Sequence, residues 1–82
     1  MGNGNAVLVT CYPNPVVSYV HIRVSSVADH SYTLTTLDGK VLQSGRIVGV
    51  ETDLNLTGIP KGMLILRIEN ARGADTFKLF KQ

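Results

Sequence analysis

Strict alternation of apolar and polar residues limits this chain more than any other feature. From Tyr19 to Ser25, the residues Val20, Ile22 and Val24 fall on one side and Tyr19, His21 and Arg23 on the other. Successive side chains of an extended backbone point to opposite faces, so the pattern predicts a half-buried strand and excludes an amphipathic helix there. The same rule sets Val50, Thr52, Leu54 and Leu56 against Glu51, Asp53 and Asn55. Weaker alternation marks Tyr32 to Leu37. Ala6 to Tyr12 and Met63 to Asn70 are nearly continuous runs of β-forming residues, with the length and flanking turn residues of buried strands.

Turn chemistry separates these runs at Pro13-Asn14-Pro15, Ala28-Asp29-His30-Ser31, Asp38-Gly39, Gly58 to Gly62 and Asn70 to Ala74. Asp38-Gly39 predicts a two-residue type I′ hairpin flanked by Leu37 and Val41, with positive φ at both central positions. Lys40 to Val48 and Asp75 to Lys81 supply two more strands. The expected fold is all-β: an immunoglobulin-like β-sandwich of about seven antiparallel strands. It lacks the Cys…Trp…Cys pin of antibody domains, because the chain has no Trp.

Eighty-two residues leave room for a single thin-cored domain, and 44% hydrophobic against 17% charged residues argues for packing over disorder. Gly2-Asn3-Gly4-Asn5 reads as a lead-in, so residues 1–5 are expected to be a flexible linker or expression scar and residues 6–82 the domain. A net charge of +2 is too small, and its Lys and Arg too scattered, to imply a nucleic-acid footprint or a polybasic membrane patch, and no nucleic-acid partner is expected. No apolar run approaches the roughly 18 residues of a transmembrane helix. Met1-Gly2 does not make a myristoylation site, because Ala6 stands where Ser or Thr is required.

Catalytic and metal chemistry find little material. Cys11 is the single cysteine, and with His21 and His30 it forms no zinc-ligand spacing, so no metal and no cofactor is expected. Both histidines read as surface residues, His21 on a solvent face and His30 in a turn, which leaves no nucleophile-base pair and predicts no enzyme. Glu51 and Asp53 share one strand face, a solvated outer face rather than the six to eight oxygens of a calcium site. Asn55-Leu56-Thr57 matches the glycosylation acceptor pattern, a frequent chance match. Cys11 is either a buried apolar residue or a free thiol; as a thiol it offers one route to a homodimer, an edge strand the other.

Several short motifs remain, and their order is informative: Tyr12-Pro13-Asn14-Pro15, Leu37-Asp38-Gly39-Lys40, Leu56 to Gly62 ending Ile59-Pro60-Lys61-Gly62, Leu66-Arg67-Ile68, and Lys78-Leu79-Phe80-Lys81. In this order and spacing, from Cys11 to Gln82, the chain resembles the type A C-terminal sorting domain carried by cargo proteins of the type IX secretion system of Gram-negative bacteria. The family pattern usually has tyrosine two residues after the motif glycine, and Leu64 stands there instead, an apolar replacement suited to the same inward space. Within the motifs, Pro13 and Pro15 fix φ and end strand pairing, Asn14 is expected to hydrogen-bond its local backbone, and Gly39 and Gly62 supply special backbone conformations.

The resemblance implies a secretion signal that carries an upstream cargo domain through the periplasm and across the outer membrane to the cell surface or the medium. The implied partners are the type IX translocon and a surface peptidase that cuts upstream of the domain, near or before Asn5. The C-terminal residues Lys78, Leu79, Phe80, Lys81 and Gln82 are the expected recognition element, with the Tyr12 to Pro15 end joining the fold to the cargo linker. Phe77, Leu79 and Phe80 put apolar groups on both faces of a last strand between Lys78 and Lys81. That arrangement fits an edge strand docking by main-chain pairing, and equally a core strand with lysines protecting its edge. Two rival readings are an adhesive or carbohydrate- or protein-binding module, which would expose Tyr19, Tyr32 or Phe80 on a sheet face, and an accessory domain that stabilises an enzyme.

Overall fold

A computed structural model describes residues 8–25 and 29–82. The lead-in at residues 1–5, the start of the first expected strand at Ala6 and Val7, and Ala28 of one expected turn lie outside the described residues. Seven strands follow in chain order: β1 (Val9–Tyr12), β2 (Tyr19–Val24), β3 (His30–Thr36), β4 (Val41–Ile47), β5 (Glu51–Asn55), β6 (Gly62–Asn70) and β7 (Gly73–Lys81). They form a three-stranded sheet of order β1-β2-β5 and a four-stranded sheet of order β4-β3-β6-β7, with every strand pair antiparallel. The expected sandwich is therefore observed, with β4 joining the larger sheet.

Each sheet buries the face that alternation selects. Val20, Ile22 and Val24 of β2 and Leu54 of β5 meet Leu34, Leu64, Leu66, Ile68 and Leu79 of the larger sheet, with Leu56 and Val16 sealing the rim. Leu34, Leu56, Leu66 and Val16 are fully enclosed, and burying each such side chain stabilises the fold by about 1.5–3 kcal/mol. Leu64 points inward and is buried in this core. Val50, placed by alternation on the buried face of β5, instead precedes the strand and is exposed.

Three local expectations give way to longer-range packing. The Asp38-Gly39 turn is a three-residue loop, Leu37-Asp38-Gly39, and not a two-residue type I′ turn. Gly39 N–H donates to Thr36 O and Thr36 N–H to Lys40 O, both at 3.0 Å, and only Gly39 has positive φ, at 95°. This is a type I turn closed by a left-handed glycine, which leaves Asp38 in an ordinary conformation. The Thr36 hydroxyl donates to the Asp38 carboxylate, and Lys40 N–H donates to Thr36 Oγ1 at 3.1 Å.

His30 is not a surface turn residue. It opens β3 opposite Ile47, buries its ring, and accepts a hydrogen bond at Nε2 from the Asn70 amide at 3.3 Å. Tyr32 is not an exposed aromatic either. It faces inward across from Gly45, where an added Cβ would lie 3.0 Å from ring atom Cε1, so the absence of a side chain at 45 makes room for the ring. Its hydroxyl accepts from the Gln43 amide at 3.1 Å, which satisfies the one polar atom the ring carries inward.

Candidate functional site

β7 is an edge strand of the larger sheet, and its odd-numbered and even-numbered residues face opposite ways. Leu79 is buried and Phe77 packs against the core, while Thr76, Lys78 and Phe80 face solvent. The same parity carries Lys81 inward to 6% exposure and leaves Phe80 45% exposed. Lys81 Nζ donates to the Gln82 carbonyl oxygen at 3.0 Å, so the inward ammonium has an acceptor. Of the five residues expected to be read at this end, Lys78, Phe80 and Gln82 are thus presented to solvent, and Leu79 and Lys81 are packed.

The edge of β7 that faces away from β6 is occupied over the same stretch. Asn14 Nδ2 donates to Lys78 O at 3.0 Å, and Phe80 N–H donates to Asn14 Oδ1 at 2.9 Å. Next along, Val16 N–H donates to Phe80 O and Gln82 N–H to Val16 O, both at 2.8 Å, forming a short parallel bridge. Four consecutive backbone groups of an edge strand are thereby satisfied. The Asn14 amide, with one donor and one acceptor, reproduces the pair of groups a neighbouring peptide unit would offer.

Turn chemistry alone would have the Tyr12 to Pro15 motif set its own turn and mark the cargo end of the domain, away from Lys78 to Gln82. The structure brings the two motifs together. Proline at 13 and 15 removes two backbone donors, so this segment cannot pair as a regular strand, and the side chain of Asn14 takes over the bonding to residues 64 and 66 positions away. Both prolines follow cis peptide bonds. Local turn preferences for Asn carry no sign of so distant a partner. Nothing in the sequence singles out Val16, and yet it is fully buried and clamps β7 on both sides of Lys81. An apolar residue directly after a Pro-Asn-Pro turn is its only trace.

Met63 lies directly opposite Phe80, and Ile65 opposite Lys78, on the outer face of the larger sheet. Gly62 pairs with Lys81 and adopts φ of 125°, and a Cβ added there would meet no atom within 4 Å, so its role is conformational and not steric. Asp38 and Gly39 stand in the hairpin loop beside this end of the sheet, and Lys40 closes it. Asp38 has its carboxyl held below the ordinary range, mainly by the hydrogen bond from Thr36.

The outer face of the smaller sheet is arranged differently. Tyr12, His21 and Asp53 form one cross-strand row, with the Tyr12 and His21 rings 5.3 Å apart and His21 Nδ1 hydrogen-bonded to Asp53 Oδ1. Arg23 and Glu51 stand in the next row, 3.9 Å apart. Glu51 and Asp53 therefore share the outer face, as alternation requires, and each has a basic partner. No group of three or more His, Cys, Asp or Glu residues that would hold a metal ion occurs among the described residues. Cys11 points inward against the core, and burial pushes its thiol up to about 11.

No curated protein matches the chain. The family model described as a secretion system C-terminal sorting domain matches residues 10–82, which takes in every motif from Tyr12 to Lys81 and all but the first residue of β1. That family is one of sorting signals and not of enzymes, and membership implies an upstream cargo and export to the cell surface or the medium by type IX secretion. The chain belongs to the C-terminal sorting domains of the type IX secretion system.

Proposed function

We propose that this domain is read by the type IX translocon at its Lys78 to Gln82 end, after transit of the cargo through the periplasm, and that a surface peptidase cuts ahead of the domain. The clamp is the observation that carries this reading. It joins the first family motif, Tyr12 to Pro15, to the last, Lys78 to Lys81, so that both serve to hold one strand end in one geometry. A signal that must be recognised on a folded domain needs such fixing, because a frayed C-terminal strand would have to be ordered again on binding at a cost in affinity.

Main-chain pairing by a receptor strand has no free groups to use between Lys78 O and Gln82 N–H, since Asn14 and Val16 hold them. Recognition at this end therefore works through side chains. The test is a periplasm-directed reporter with this chain fused behind it, expressed in a bacterium with type IX secretion and in the same strain lacking the translocon. The reporter should reach the surface or the medium only when both chain and translocon are present. Periplasmic retention of the fusion in the competent strain, or export without the translocon, refutes the reading.

A further inference from the structure

The outer face of the larger sheet carries an apolar corner. Phe80 and Met63 form one cross-strand pair, and Val41, Thr35, Ile65 and Lys78 form the adjoining row across all four strands. Phe80, Met63 and Val41 are 45%, 39% and 56% exposed, and Leu37, at the hairpin tip next to the end of β3, is exposed as well. Directly opposed residues on a sheet sit about 5 Å apart, so these side chains make one continuous surface. Of the other exposed large apolar residues, Val17, Val48 and Val50 lie in connections, and Tyr12 and Tyr19 stand opposite polar partners, His21 and Asn55, on the smaller sheet.

Charge separates this corner from the outer face of the smaller sheet. On the smaller sheet, the outward carboxylates Asp53 and Glu51 each have a partner across the strands, His21 and Arg23. On the larger sheet, the next outward residue of β6 after Ile65 is Arg67, which stands 3.7 Å from Glu69. Around the apolar corner stand Lys40, Lys61 and Lys78, all exposed, and only Lys40 has a carboxylate beside it, Asp38. Lys61 and Lys78 make no ion pair among the described residues. An apolar centre with an unmatched basic rim is the arrangement of a docking surface whose partner is apolar in the middle and acidic at its border.

Resting on the sorting-signal reading, we propose that the corner formed by Phe80, Met63, Ile65 and Val41, with Lys61 and Lys78 at its rim, is the surface that docks on the translocon. Its occupant is an apolar patch bordered by carboxylates on a translocon protein. The clamp of Asn14 and Val16 contributes by fixing Phe80, the largest side chain of the patch, from behind.

The reporter fusion tests this with the whole chain. Double substitution Phe80→Ser, Met63→Ser should lower export about tenfold or more, as expected when a central aromatic anchor is lost. Lys78→Glu should lower it severalfold, and Val48→Ser should leave it unchanged. Melting of each purified chain is followed by circular dichroism. If the double variant fails to fold, Lys78→Glu and Lys61→Glu, both at exposed positions, decide the matter alone. A photo-crosslinking residue at position 41 should trap an envelope protein whose loss blocks export of the unsubstituted fusion, and the same residue at 48 should not.

Folded variants exported like the parent, or equal crosslinking from 41 and 48, overturn the proposed surface while leaving the sorting function standing. Failure of the unsubstituted fusion to leave the periplasm overturns both.

Discussion

Replacing Asn14 with Ala separates the clamp from every other part of the fold. Asn14 makes two hydrogen bonds, to Lys78 O at 3.0 Å and from Phe80 N–H at 2.9 Å, and both lie where water reaches. Each is worth about 0.5–1.5 kcal/mol net, and hydration of the freed groups keeps the loss near the lower end, so the pair should cost about 1–2 kcal/mol. For a domain of this size, 1 kcal/mol moves Tm by about 4–8 °C, which places the expected drop at roughly 5–15 °C. Thermal unfolding alone does not locate the loss, so amide hydrogen exchange is the second readout. Phe80 N–H should lose protection, followed by Val16 and Gln82 N–H, which bond across the same strand end, while the amides of β2 and β3 change only as far as global stability falls. Asn14→Asp is the informative control: a carboxylate still accepts from Phe80 N–H but sets a second acceptor against Lys78 O, so at neutral pH it should stabilise the chain no better than Ala. An unchanged Tm together with unchanged Phe80 protection in Asn14→Ala would refute the clamp.

Two further expectations rest on ionisable groups. The Asp38 carboxyl is depressed chiefly by the Thr36 hydroxyl, so it contributes stability that is present above the ordinary carboxylate range and is lost as pH falls through its lower folded value. An NMR titration should place Asp38 below ordinary Asp values and return it toward them in Thr36→Ala; an unchanged titration in that variant would separate the shift from the hydroxyl. The Cys11 thiol, pushed up to about 11 by burial, should react with iodoacetamide at pH 8 far more slowly than a free thiol in a peptide, and alkylation at the peptide rate would show that it is not packed as described.

Alternation makes most of the sandwich legible, because strand faces are set residue by residue by a period of two. It places β2 and β5 within a residue or two of their bounds, and the inward positions of Val20, Ile22, Val24 and Leu54 follow. The residues it misplaces share a different property. Asn14, His30, Tyr32 and Val16 take their roles from partners in another strand: Phe80 and Lys78, Asn70, Gly45, and β7. No local preference encodes such partners, so turn chemistry assigns Asn14 and His30 to their own neighbourhoods.

At the end of β7, hydropathy and geometry part company. Residues 80 and 81 read in isolation would put phenylalanine inside and lysine outside, and the fold does the reverse, with Lys81 6% and Phe80 45% exposed. Moving the strand by one residue would correct that pair, but it would also turn Leu79 out of the core and break the bonds of Asn14 and Val16 to Phe80. The register is therefore held by Leu79 and the clamp against the local preference of the last two large side chains. Natural sequences keep such conflicts mainly where something other than stability uses the residue. On the proposed docking surface, that use is recognition through an exposed phenylalanine held in place by the Tyr12 to Pro15 segment and flanked by Lys78.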